Sequence, residues 1–123
     1  MHRKNRLPDP AATAALIAKR TPLRPGLGIV LGSGFGAIAK AVTGGREFPY
    51  RDLPGFPVGS VPGHAGRLII GEWRGIPVAI LAGRAHFYEG FDLAESTFPI
   101  RVLAALGIGT LLLTNASGGI NAK

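Results

Sequence analysis

Residues 27 to 42 constrain the fold more than any other stretch. Leu27-Gly28-Ile29-Val30-Leu31 is a continuous apolar run, Gly32-Ser33-Gly34-Phe35-Gly36 is a permissive turn, and Ala37-Ile38-Ala39-Lys40-Ala41-Val42 favours helix. Strand, glycine turn and helix in succession are the unit of an α/β sheet. Thr110-Leu111-Leu112-Leu113-Thr114 adds a second strand, whose all-apolar centre predicts burial on both faces and a neighbour on each side. Running straight from there into Asn115-Ala116-Ser117-Gly118-Gly119 and a terminus would leave half of such a sheet unbuilt. The chain is therefore expected to be the N-terminal part of a longer protein, an incomplete α/β fold.

The remaining elements follow from local rules. Asp9 as an N-cap with Pro10 in the first helical position predicts a short helix through Lys19, ended by Thr21-Pro22. Arg67 to Glu72 and Ile76 to Leu81 flank Trp73-Arg74-Gly75 and read as a hairpin. A helix is expected from Asp92 or Ser96 to Leu106, its start blurred by Pro99 and its stop marked by Gly107. Between Phe48 and Gly66 stand four prolines and three glycines, which predict a long loop with no regular element of more than a few residues. Long loops in compact domains often complete a site, which makes His64 a candidate ligand contact.

At 123 residues, 46% of them hydrophobic, the chain fits one folded domain. With no cysteine and three scattered histidines, it holds neither a disulfide framework nor a zinc-ligand spacing, and no metal is expected. The formal net charge of +7 is unevenly spread: residues 1 to 24 hold six of the fourteen Lys and Arg but one of the seven acids. A basic N-terminal segment on a nearly balanced body, without interleaved aromatics or a recognition-helix pattern, does not read as nucleic-acid binding. Pro8-Asp9-Pro10 interrupts any signal peptide, and the uncharged stretch 102 to 122 is too broken by Gly, Asn and Ser to span a membrane. A cytoplasmic location is expected.

Two segments carry chemistry. Gly83-Arg84-Ala85-His86-Phe87-Tyr88-Glu89-Gly90 leaves the apolar run Val78 to Ala82. If the strand continues, Arg84, His86 and Tyr88 share one face, with Ala85 and Phe87 turned to the core. A guanidinium, a neutral-range imidazole and an aromatic ring together suit an anionic reactant beside a sugar or base. The turn from Gly32 to Gly36 offers successive N–H groups, the Ser33 hydroxyl and a following helix whose positive end attracts anions, a candidate phosphate cradle. It also satisfies a loose dinucleotide pattern, Gly32-x-Gly34-x-x-Ala37, with Asp52 twenty residues after Gly32. A dinucleotide-binding half-domain is therefore an alternative, although Asp52 lies in the Pro-rich loop and not after a second parallel strand.

Four motifs in order resemble one family: Gly32-Ser33-Gly34-x-Gly36, Val61-Pro62-Gly63-His64-Ala65-Gly66, Gly83-Arg84-x-His86-x-Tyr88-Glu89-Gly90 and Thr114-Asn115-Ala116-x-Gly118-Gly119. They are similar to the purine nucleoside phosphorylases of the trimeric type, from about Pro25 onward, and Phe98-Pro99-x-Arg101 also fits. The resemblance implies a mixed central sheet with flanking helices, the phosphorylase/hydrolase-like α/β fold, of which residues 1–123 would be the N-terminal part. It implies a phosphate cage from Ser33, Arg84, His86 and the backbone N–H of Ala116, with His64 closing over it. Tyr88 would lie against the ribose, and Glu89 would orient His86. The implied reaction is reversible phosphorolysis of purine (deoxy)ribonucleosides to free purine and (deoxy)ribose 1-phosphate, with inorganic phosphate as co-substrate, no other cofactor and a homotrimeric protein. The sibling 5′-methylthioadenosine phosphorylases share that fold and phosphate chemistry. In the family, the purine-holding groups lie beyond the position of Lys123, so the 123-residue chain alone is expected to be inactive.

Overall fold

The computed structural model describes residues 7–31, 36–58, 66–83 and 93–114. In chain order these form α1 (Pro10–Ala18), β1 (Leu27–Leu31), α2 (Gly36–Lys40), β2 (Thr43–Pro49), a 3-10 turn (Tyr50–Asp52), β3 (Arg67–Trp73), β4 (Ile76–Ala82), α3 (Leu93–Ala105) and β5 (Thr110–Leu113). The strands make one sheet in the order β2-β3-β4-β1-β5. β1 runs parallel to both β4 and β5, whereas β2, β3 and β4 pair antiparallel in sequence order. The sheet is mixed, with helices beside it, as expected.

Register sorts the core into two layers. Val30, Leu81, Leu68 and Phe48 are cross-strand partners and point to the face covered by α1 and α3, where Ile17, Phe98, Val102 and Leu103 are buried. One residue along, Ile29, Ile80 and Ile69 point to the opposite face, against Ala39 and Val42 beside α2. This is the period-two alternation of a pleated strand, with both sets apolar because both faces are covered. Each fully buried Val, Leu, Ile and Phe among them contributes about 1.5–3 kcal/mol by leaving water.

The local signals worked as read at several places. Asp9 caps α1, its carboxylate accepting from the Ala11 N–H at 3.0 Å. Arg74 and Gly75 join β3 to β4 with φ of 55° and 81°, the two left-handed residues that a type I′ hairpin turn requires. Arg74 bears that conformation with its guanidinium 5.7 Å from the Trp73 ring centre, a cation–π contact that offsets part of the strain. α3 ends in a Schellman motif: the Ile108 N–H reaches the Leu103 carbonyl at 3.2 Å and the Gly107 N–H reaches Ala104 at 3.0 Å. Gly107 takes the left-handed φ of 93° that the motif needs.

α3 begins at Leu93, in line with the earlier of the two starts read from sequence, so Pro99 stands inside the helix, where it is buried. Two features differ from the sequence reading. β2 is a strand where none was expected. Gly44 and Gly45 disguise it, yet Gly45 lies at a register irregularity where a Cβ would come within 2.6 Å of the Ile70 carbonyl oxygen. Only glycine allows that approach. Finally, β5 is not buried among the described residues: Leu111, Leu112 and Leu113 are 38%, 48% and 60% exposed. Its apolar pattern predicted two covered faces, but among the described residues β1 is its single sheet neighbour.

Candidate active site

The register brings four chemistry-bearing segments to one edge of the sheet. Leu31 at the end of β1 pairs with Ala82 at the end of β4, and Val30 pairs with Leu113 at the end of β5. β3 runs the other way, so its first residue, Arg67, also pairs with Ala82. The segment with Ser33 thus leaves this edge from β1, that with Arg84, His86, Tyr88 and Glu89 leaves it from β4, and that with Ala116 leaves it from β5. The segment with His64 enters β3 at the same edge. Neighbouring strands lie about 4.8 Å apart, so the ends of β4, β1 and β5 fall within roughly 10 Å of one another. β1 stands between two parallel neighbours reached in opposite directions across the sheet, the switch point at which open α/β sheets hold ligands beyond their carboxyl ends.

Ser33, His64, Arg84, His86, Tyr88, Glu89 and Ala116 lie outside the described residues, so the cage inferred from sequence is placed only through its flanking strands. The same holds for the alternation of Arg84, His86 and Tyr88 with Ala85 and Phe87. β4 itself ends at Ala82, and Gly83 turns with φ 105°, so the pleat does not run unbroken from Ala82 into that segment. α2 has five residues, too short for the helix dipole invoked for the glycine turn. Any anion held there would rely on backbone N–H groups and the Ser33 hydroxyl.

The described residues around this edge are tightly fixed. The Tyr50 N–H donates to the Gly66 carbonyl at 3.0 Å, and a Cβ on Gly66 would strike the Tyr50 ring. Tyr50 packs on Phe56 with ring centres 5.1 Å apart, and Phe56 meets the edge of Phe98 in α3 at 6.1 Å. Burial pushes the Tyr50 phenol well above its usual range, against a smaller opposing pull from Arg67. Thr13 in α1 donates its hydroxyl to the Pro54 carbonyl at 2.7 Å. The chain is therefore anchored on both sides of the segment carrying His64. Arg67 Nε lies 3.4 Å from Glu47 Oε1, but it makes no hydrogen bond of good geometry, so the pair is charge proximity on an exposed edge.

At the far strand, both the N–H and the hydroxyl of Thr114 donate to the Val30 carbonyl, each at 3.0 Å. Sequence reading quoted Thr114 and Gly66 within motifs but gave neither a role of its own. Both act through non-local contacts that a linear pattern does not display.

Among the described residues no cluster of three His, Asp or Glu is gathered for a metal. Nor is any described helix long and apolar enough to cross a membrane. The dinucleotide alternative fails on topology. The strand after α2 is β2, at the far edge of the sheet with β3 and β4 between it and β1, and Asp52 sits in an exposed 3-10 turn. Among the described residues no acid ends a parallel strand beside β1 where a ribose hydroxyl would need it.

A mixed sheet with its motif-bearing segments leaving at the carboxyl end of a central parallel strand places the chain in the α/β class. The sequence model of the phosphorylase superfamily matches residues 27–123, and the chain belongs to that family. It is 44% identical to purine nucleoside phosphorylase 1 of Bacillus subtilis over 110 residues, covering 89% of this chain and 41% of that protein. It is 42% identical to the rat purine nucleoside phosphorylase over 115 residues, covering 94% and 40%. Among solved structures, a purine nucleoside phosphorylase in complex with ribose-1-phosphate superposes with a TM-score of 0.80 at 41% identity, covering 87% of this chain and 39% of that one. The Schistosoma mansoni enzyme in complex with inosine gives 0.81 at 40% identity, covering 91% and 39%. The chain thus spans about two fifths of the length of these relatives.

Proposed function

We propose that the protein carrying this chain is a purine nucleoside phosphorylase, which transfers the pentosyl group of a purine (deoxy)ribonucleoside reversibly to inorganic phosphate. The observation that carries the reading is the convergence of the four motif-bearing segments at one sheet edge, in a chain whose relatives of more than 40% identity bear that name. Ser33, Arg84, His86, His64 and the Ala116 N–H hold the phosphate, Tyr88 lies against the pentose, and Glu89 orients His86 and favours its charged form.

The chemistry follows from charge. As the glycosidic bond opens, positive charge develops on the sugar, and a phosphate held beneath the ring both stabilises that charge and attacks the anomeric carbon. Fixed donors in a confined site hold the nucleophile in line, so no covalent enzyme intermediate, metal or organic cofactor is required. The purine leaves with the glycosidic electron pair and takes a proton or hydrogen bond from groups outside the residues named here. The reading extends to a cytoplasmic homotrimer and to residues 1–123 as the amino-terminal part of one phosphorylase domain, with residues 1–24 as its basic leading segment. The share of each relative that the chain covers supports the last point.

The test is phosphate-dependent release of hypoxanthine from inosine by the native gene product. Equal release without phosphate, or preference for 5′-methylthioadenosine over inosine, would overturn it. Thermal stabilisation by phosphate and not by NAD is expected alongside.

A further inference from the structure

We infer that Leu53-Pro54-Gly55-Phe56 is a two-state turn and that Thr13, in α1, is the latch that holds it in one state. The Phe56 N–H donates to the Leu53 carbonyl at 3.1 Å, Pro54 occupies the second position, and Gly55 in the third has a φ of 88°. That is a type II turn, since a type I turn carries a negative φ in the third position. Proline's fixed φ suits the second position of either type, and glycine accepts either sign in the third. The two forms differ by a half-rotation of the Pro54–Gly55 peptide, while the bond between Phe56 and Leu53 is common to both. The buried Leu53 and Phe56 side chains stay where they are, so interconversion needs no strand to unfold.

What selects the observed form lies outside the turn. The Thr13 hydroxyl donates to the Pro54 carbonyl at 2.7 Å, across 41 positions of sequence, and Thr13 is 1% exposed. A half-rotation of the peptide swings that oxygen to the opposite side of the turn, so the bond exists only in the type II form. Gly55 is enclosed as well: a Cβ there would lie 2.4 Å from the Phe98 ring and 2.9 Å from Pro8 Cγ. The turn is thus clasped between the N-terminal segment and α3. Proline followed by glycine favours type II by itself. Thr13 adds a neutral hydrogen bond that the other form forfeits, and its buried hydroxyl loses this acceptor whenever the peptide turns over. α1 thereby governs the conformation of the Pro-rich loop at Pro54.

The experiment is amide relaxation dispersion on the native gene product labelled at glycine nitrogen, which reads Gly55 in the turn beside Gly28 in β1 and Gly71 in β3. Thr13→Val keeps the shape of the side chain and removes the donor, whereas Thr13→Ser keeps the donor. Thr13→Val is expected to raise the minor population at Gly55 about fivefold to tenfold, the effect of one neutral hydrogen bond. Gly28 and Gly71 should not change, and Thr13→Ser should return Gly55 to the behaviour of the unsubstituted protein. The same Gly55 signal in all three proteins would overturn the latch. So would exchange that rises equally at Gly28 and Gly71, the mark of general loosening. If Thr13→Val does not fold, Thr13→Ala is measured in its place under the same criteria.

Discussion

Gly66→Ala isolates a close approach on which the edge carrying the candidate site depends. Gly66 does not need a left-handed backbone, so alanine brings no conformational strain of its own. What it brings is a methyl group inside the contact distance of Tyr50 Cε2 and Cδ2 and 3.0 Å from Cζ, where ordinary contact begins near 3.4 Å. The ring has little room to yield: Tyr50 is 5% exposed and packs on Phe56, and its own N–H is bonded to the Gly66 carbonyl. Overpacking of this kind costs about 1–3 kcal/mol, and the double restraint on Tyr50 puts the expectation at about 2–3 kcal/mol. A loss of that size lowers the midpoint of thermal unfolding by roughly 5 °C in a domain of the length of the relatives. The assay is urea and thermal denaturation of Gly66→Ala, of Tyr50→Ala and of the double variant. Gly26→Ala serves as the control, since a Cβ there meets nothing within 4 Å. If the ring is the cause, Gly66→Ala costs little in the Tyr50→Ala background. A loss under about 0.5 kcal/mol in Gly66→Ala, or an undiminished loss in that background, would refute the reasoning.

Gly107→Ala forces a side chain into the left-handed position of the Schellman motif and should destabilise by about 1–2 kcal/mol in denaturant titration, with the end of α3 losing amide protection first. Tyr50 holds its proton more tightly in the folded state than in the unfolded chain, so its contribution is complete below about pH 10, the ordinary tyrosine value, and is lost as pH rises beyond it. Urea midpoints between pH 8 and 11 should fall at the alkaline end, and Tyr50→Phe should flatten that fall. If Arg84 holds phosphate as proposed, Arg84→Lys keeps the charge but removes the two-point geometry, and steady-state kinetics should show the KM for phosphate raised about tenfold with the nucleoside KM little changed.

What the sequence displayed was whatever a few neighbouring residues decide. Asp9-Pro10, the apolar run Leu27 to Leu31, the hairpin about Arg74-Gly75 and the stop at Gly107 each obey a local rule, and each appears in the structure where that rule puts it. The misses are non-local. β2 is hidden because Gly45, a strand breaker by propensity, is required by the Ile70 carbonyl across the sheet. Gly55 reads as loop punctuation and Gly66 as the end of a motif, whereas each clears space for a ring, Phe98 and Tyr50 respectively. The leucines of β5 announce a buried strand, but burial depends on what lies beside it and not on the strand itself. For the site, the residue types pointed to an anion from motif order alone. That their segments share one sheet edge follows only from register, through Leu31, Ala82, Leu113 and Arg67.

Because β1 is hydrogen-bonded along both sides, it works as a common ruler for the two strands flanking it. Inserting or deleting one residue between Leu27 and Leu31 would swap the inward and outward rows against both neighbours at once and move three loop roots together. The Arg74-Gly75 bend, at the opposite end of the strands, is free of that constraint. Length variation among descendants of this gene should accumulate there and stay out of the ruler.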